Sequence, residues 1–411
     1  MFCSNPFRNP AILLVVLCAT DVCAQGLHGS SHPPQQIDRY VGQHVPDIWD
    51  ESQPIERFLT AVAKRSYLKL EYLHWDLDGP RNQNLGAPIL DVADPLTPFQ
   101  VFDNLNGGAS AGLAIVPGTN NLGMEDTSGV RGTLGVDLNG GMLELGFFGT
   151  EETGDDFMLT NLQAGRVIGT TELGTELRPN VVTPLLTNGG QQTQAAMNAF
   201  VYDNSFQGTI DSQLWGGEVL LLKELYLPHE AFNWQWLGGF RYVSFDESFT
   251  QIGTYNNGGG LPVNRVTQIG GNTINNVYGP EVGGRASVRT KFVTLSATPR
   301  IAFALNDHTS SVITGPLTAA NEPVARVTSE SIDFAPIVEL NLQMQIHITP
   351  NFSIIGGYDF FYMFQISRPN ENVVYNSVPG PGGAFTPNIG QKVSLTEMMA
   401  QGFNVGGLWT Y

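Results

Sequence analysis

Arg241, Arg285 and Arg289, with Glu218, Glu281 and Glu339, each stand between uncharged neighbours. Residues two apart share one face of an extended strand, so these ions sit on polar strand faces. Facing a lumen, they would either set the charge seen by a passing ion or pair with one another and fill the space. Asn341 and Gln343 continue the Glu339 face. Arg241, Glu281, Arg285, Arg289, Glu339, Asn341 and Gln343 are therefore the lumen-lining candidates. The narrow bore of a small barrel favours pairing over an open path.

Other residues have the types for hydrolysis or cation binding. His74 and His308 fall near the long links, at the same rim, and His74 stands two residues before Asp76. A hydrolase needs a nucleophile with a base, or an Asp and His cluster. His28, His32 and His44 lie in the N-terminal region, and His229 lies in a short link. The sequence contains no Walker loop, zinc-protease motif or Gly-x-Ser-x-Gly elbow. Acidic groups recur at Asp76/Asp78, Glu151/Glu152/Asp155/Asp156 and Asp246/Glu247. Such oxygens can bind Ca²⁺ or bridge lipopolysaccharide, but none has EF-hand spacing, and they read as solvated surface. No catalytic residue, metal or cofactor is expected.

The elements that position these groups have period two. In 337–348, Val338, Leu340, Leu342, Met344, Ile346 and Ile348 share one face, and Glu339, Asn341, Gln343, Gln345 and His347 the other. In 281–289, Val282, Gly284, Ala286 and Val288 oppose Glu281, Arg285, Ser287 and Arg289. Phe352, Ile354, Tyr358, Phe360, Tyr362, Phe364 and Ile366 form another apolar face, as do Phe232, Trp234, Trp236, Phe240 and Tyr242. Strands are expected at 65–75, 129–138, 142–150, 208–224, 232–246, 277–290, 293–306, 327–348, 352–366 and 398–411. Several exceed the ~5–6 residues usual in soluble proteins and reach the ~9–11 needed to cross a bilayer. Short links alternate with long ones at 76–128, 151–207, 247–276, 307–326 and 367–397. That is the plan of an outer-membrane barrel, with short periplasmic turns and long extracellular loops. The expected fold is an all-β antiparallel transmembrane barrel of about 10 strands. A further hairpin at Leu113–Val116 and Phe157–Leu162 would make twelve.

Composition agrees. The chain has 411 residues, 47 of them Gly, with 14% charged and a net charge of −18. An acidic chain lacks the basic footprint of a nucleic-acid partner. Most of the acidic surplus falls in the long links or at strand ends. No apolar run reaches the ~18 residues of a spanning helix, but a closed barrel satisfies its backbone between strands and needs none.

Arg8, the apolar run Ala11–Cys18 and Val22-Cys23-Ala24 have the form of a signal peptide cleaved near Ala24. The expected organisation is signal 1–24, N-terminal periplasmic extension 25–64 and barrel 65–411. All three cysteines, Cys3, Cys18 and Cys23, fall in the signal. Tyr72, Trp75, Trp215, Trp236, Tyr362 and Trp409 are candidates for interfacial girdles. At the chain end, Phe403, Val405, Trp409 and Tyr411 share one face and form a candidate signal for the barrel-assembly machinery.

Several stretches resemble the Putative beta barrel porin-7 family of bacterial outer membranes. They are 67–75 (YLKLEYLHW), 214–219 (LWGGEV), 239–247 (GFRYVSFDE), 357–362 (GYDFFY) with Arg368-Pro369 after it, and 401–406 (QGFNVG). The loops 76–128 and 151–207 carry no matching motif. The resemblance implies an outer-membrane barrel and supplies no catalytic residues.

The expected partners are outer-membrane lipid, the assembly machinery and small solutes. The leading reading is a porin-like channel. The alternatives are a plugged barrel that binds or adheres through its outer loops, and, less favoured, a rim hydrolase at His74 and Asp76.

Overall fold

In the computed structural model, the structure describes residues 65–88, 99–102, 111–138, 141–160, 180–187, 198–202, 204–225, 232–256, 264–317, 323–379 and 385–411. The expected signal 1–24 and N-terminal extension 25–64, the cysteines, His28, His32, His44 and His229 lie outside the described residues.

Ten strands close a barrel. They are β1 Ser66–Leu77, β2 Met124–Leu138, β3 Gly141–Thr150, β4 Ser205–Leu225, β5 Phe232–Asn256, β6 Asn264–Arg289, β7 Val293–Ala302, β8 Ile337–Thr349, β9 Phe352–Ser367 and β10 Leu395–Thr410. Each pairs antiparallel with the next. β10 then pairs antiparallel with β1, from Tyr67↔Thr410 to Leu77↔Ala400. Closure leaves the ring without a free edge, which is what allows strands to cross a hydrocarbon layer.

The wall does not stop where the alternating pattern stops. β5 and β6 stay paired to Asn256↔Asn264, so most of the expected loop 247–276 is a long hairpin. Leu305–Thr314 continues β7 and pairs with β6, and Ala325–Phe334 leads into β8. Thr153–Thr160 adds to β4. The further hairpin expected at Leu113–Val116 and Phe157–Leu162 does not form: its second part, as far as Thr160, lies in the segment paired with β4. Ala111–Ile115 instead pairs with Phe99–Phe102 and runs parallel to Asn180–Thr187 in a separate sheet. Where no lipid lies outside, the outer face need not be apolar, so the two-residue period fades while the strand continues.

The outward face is apolar, with Leu70, Tyr72, Val219, Trp236, Phe240, Val282, Leu342 and Met344 all exposed. Phe403, Val405, Trp409 and Tyr411 are on it as expected, and Phe403 is 66% exposed. Trp75 is not in a girdle. It alternates with Tyr72 on β1, faces the lumen and is 1% exposed. Ile366 also departs from its expected outer face. The β9–β10 register shifts between Met363 and Ile366, and Gln365 takes φ 53°. A shift by one residue exchanges faces, and Ile366 is fully buried.

The core of the molecule is the lumen. One apolar layer joins Leu73, Trp75 and Leu77 of β1, Met124 of β2, Leu214 of β4, Val243 and Phe245 of β5, Val277 of β6 and Ala302 of β7. Ile337 of β8, Phe361, Met363 and Ile366 of β9, and Met398 and Ala400 of β10 belong to it too, as do Ala304 and Ala335, with Phe148 of β3 packed against it. Every barrel strand contributes. The rings of Trp75, Phe148 and Phe361 meet pairwise at 5.8, 6.4 and 6.1 Å between centroids.

Candidate functional site

Next to this apolar layer the same inward faces carry ions. Glu218, Arg241, Glu281, Arg300 and Glu339 come from the five consecutive strands β4 to β8, with charge alternating along the wall. Arg241 donates to Glu218 and Glu339, and Arg300 donates to Glu339 and, at 2.7 Å, to Glu218. The Nη2 of Arg241 is also 3.1 Å from Glu281. Glu218 lies directly opposite Arg241, and Arg300 opposite Glu339, so register alone makes two of these pairs. Glu281 lies opposite Gly239.

Glycines make the room. A Cβ on Gly146, opposite Glu218, would lie 2.8 Å from the Glu218 Cγ. A Cβ on Gly239 would lie 1.9 Å from the Val219 carbonyl oxygen, a contact the backbone could not relieve.

Further bonds cross the bore. Asp359 of β9 accepts from Arg131 of β2 at 3.1 Å, Asn341 at 2.6 Å, Asn404 at 2.9 Å and the Trp75 indole at 3.3 Å. Gln343 of β8 donates to Glu71 of β1 at 3.1 Å, and Lys69 lies 3.0 Å from the same carboxylate. Arg285 of β6 holds Glu144 of β3 through both terminal nitrogens, at 2.7 and 2.8 Å, and Tyr67 donates to that carboxylate too. Such charges are stable in a low-dielectric space only when paired and hydrogen-bonded.

Of the lumen candidates, Arg241, Glu281 and Glu339 meet in the central cluster, and Asn341 and Gln343 brace its neighbours. Arg285 joins a separate pair, and Arg289 is exposed near the end of β6. Sequence reasoning did not single out Arg300, Glu144, Arg131 or Asp359. Their signal was available: each stands between uncharged residues on an inward face, as Asp359 does between Tyr358 and Phe360.

Carboxylate oxygens of Glu218, Glu281 and Glu339 lie within 4.8 Å of one another, close enough for a cation. Arg241 and Arg300 already bridge them, so guanidinium groups supply the positive charge there. His74 faces outward, with Nε2 3.4 Å from Asp126, while Asp76 accepts the Asp126 backbone N–H at 3.1 Å. His308 is fully buried and lies 3.0 Å from Asp333.

On the far side of the apolar layer, the segment between β9 and β10 is stapled into the barrel mouth. Arg368 donates to Glu247 at 3.0 and 2.5 Å and to the Gly79 carbonyl at 2.7 Å. Asn275 donates to the Ser367 carbonyl at 2.9 Å, and Asn372 donates to Ser310 and Ser367 at 2.8 Å each. Tyr375 donates to Gln251 at 2.9 Å, and burial pushes its phenol pKa up, which keeps it a neutral donor. A second apolar cluster, including Leu85, Val181, Leu185, Tyr202, Phe206, Phe249, Ile269 and Tyr375, packs the cap against the rim strands.

Among solved structures, the outer membrane protease OmpT from Escherichia coli is similar at 12% identity, with a TM-score of 0.43, covering 85% of this chain and 97% of that one. The P. putida toluene transporter TodX is similar at 7% identity, with a TM-score of 0.16, covering 84% and 88%. No curated protein matches. The profile of one family, Putative beta barrel porin-7, matches residues 67–411, from β1 to the last residue. The chain belongs to the Putative beta barrel porin-7 family.

Proposed function

We propose that this chain is a sealed outer-membrane barrel that acts through its extracellular cap, as a binding or adhesion protein, and not as an open diffusion pore. The observation that carries this reading is the apolar layer to which all ten strands contribute, centred on Trp75, Phe148 and Phe361. A continuous apolar constriction excludes water, and ions do not cross where water is excluded. The paired ionic layer beside it adds a second obstruction. In this reading the charges on the inward faces hold the wall together and do not select solutes.

The family and the lipid-type outer face support an outer-membrane location. Export through a signal at 1–24 and assembly through the aromatic C-terminal face belong to the same proposal. No catalytic role is assigned. Planar-bilayer recordings of the folded, heat-modifiable barrel test the reading: absence of conductance is expected, and stable conductance steps would restore the channel.

A further inference from the structure

The cap holds a pocket of about 460 Å³ between the segment after β1 and the segment after β9. That lies within the ~300–1,000 Å³ of small-molecule sites. Its wall includes Asn82, Gln83 and Asn84 on one side and Asn370, Glu371 and Tyr375 on the other. Asn370 is 1% exposed, yet neither Nδ2 nor Oδ1 of its amide has a protein partner. Glu371 Oε1 is likewise buried and unpartnered, while its Oε2 accepts from Ser394 at 3.2 Å. Buried polar groups are almost always satisfied, so three unpaired atoms on two residues that line the pocket call for an explanation.

Both walls are fixed in place. Gln83 donates its backbone N–H to Thr119 Oγ1 at 3.0 Å, and that hydroxyl donates to the Arg81 carbonyl at 2.6 Å. The other wall hangs from the lumen through Asn372 and Tyr375. A preformed wall lowers the ordering cost of a ligand.

We infer that this pocket binds a neutral polyhydroxyl ligand, a saccharide. The inference rests on the cap being the working part of the protein. The lining offers four side-chain amides, each both donor and acceptor, one carboxylate and one aromatic ring. It offers no Lys or Arg, so an anion is disfavoured. Hydroxyl groups, which donate and accept together, match a lining of amides with one carboxylate.

The test is ligand-observed saturation-transfer NMR on the full-length barrel in detergent, with maltose and lactose as free saccharides, dextran as a polymeric one, and Ca²⁺ alone. Signal from a disaccharide assigns the site to free sugars, and signal from dextran alone assigns it to surface polysaccharide; either supports the inference. Asn370→Leu is expected to weaken binding at least about tenfold, the scale of one lost buried hydrogen bond. Asn82→Ala, at an exposed position that does not threaten folding, is expected to weaken it several-fold, and Glu371→Gln to retain it. Absence of any saccharide signal, or a signal indifferent to Asn370→Leu and Asn82→Ala, overturns the inference. So does Ca²⁺ binding that is lost in Glu371→Gln without saccharide binding. A non-conducting barrel with no saccharide signal removes this inference alone, whereas a conducting barrel removes the sealed-barrel reading and leaves the pocket to its own result.

Discussion

Arg285 on β6 holds Glu144 on β3 with two parallel hydrogen bonds, although β4 and β5 separate these strands in the wall. The bridge is therefore a strut across the bore and not a neighbour contact in the sheet. Bidentate geometry makes it stronger than a single ion pair. Removing one partner leaves the other charge uncompensated, at about 3–5 kcal/mol for a fully buried pair. Arg285 keeps 27% side-chain exposure, so the lower end applies. Arg285→Met is expected to destabilise the barrel by about 3 kcal/mol in urea unfolding from detergent or lipid. Arg285→Met with Glu144→Leu is expected to cost less than the sum of the two single changes. Additive losses would show that the strut is not a coupled pair.

The three carboxylates of the central cluster are not equivalent. Glu339 and Glu218 accept hydrogen bonds from both Arg241 and Arg300, whereas neither oxygen of Glu281 does. Three acids face two guanidinium groups, so one carboxyl has no guanidinium of its own. Glu281→Gln is expected to change stability by less than about 1 kcal/mol, because it removes no hydrogen bond. Glu339→Gln is expected to cost about 2 kcal/mol or more, since it weakens two charge-assisted bonds. Equal losses in the two variants, read from unfolding midpoints, would contradict this ranking.

The alternation that lipid imposes made the ten strands legible in the sequence, because a residue between hydrocarbon and lumen has only two directions to face. It also placed Arg241, Glu281 and Glu339 on inward faces. It did not give height along the barrel, which the stagger of strands sets. Glu144 could not be matched to Arg285, 141 residues away, from periodicity alone. Trp75 stands near a strand end, as a girdle residue would, but it shares parity with Leu73 and so faces the lumen. The paired rim segments 251–256 and 264–268 stand where no alternation is imposed, and they carry no apolar period. The cap pocket draws Asn82 and Asn370 from separate links that carry no period at all.

Arg368 ties the cap segment to the wall through Glu247 and to the segment after β1 through Gly79. Both members of the ion pair are essentially inaccessible, with side-chain exposures of 1% and 0%. Arg368→Ala is expected to free the segment 367–394 while leaving the closed wall intact. Limited proteolysis of intact cells should then cut within 367–394 at least about tenfold faster than in the parent, as expected when local opening is eased by ~1.4 kcal/mol or more. The heat-modifiable gel mobility of the barrel should persist. Loss of that mobility would instead make Arg368 a residue of the wall.

The aromatic contact of Trp75 with Phe148 and Phe361 joins β1, β3 and β9 across the lumen. Trp75 also donates to Asp359, so it connects the apolar layer with the ionic one. Trp75→Ala is expected to cost about 3–5 kcal/mol, the range for a large side chain removed from a packed core. The functional consequence is separable from the stability loss. With Trp75→Ala and Phe361→Ala together, the constriction loses two of the three rings that meet at its centre, and the remaining space is bordered by Asp359, Asn341 and Arg131. A gap lined partly by polar groups admits water where a dry apolar gap does not. Brief conductance steps are therefore expected in planar bilayers from the doubly substituted barrel, against none from the parent. If the doubly substituted barrel folds, shows heat-modifiable mobility and stays silent, the seal lies in the ionic layer and not in the rings.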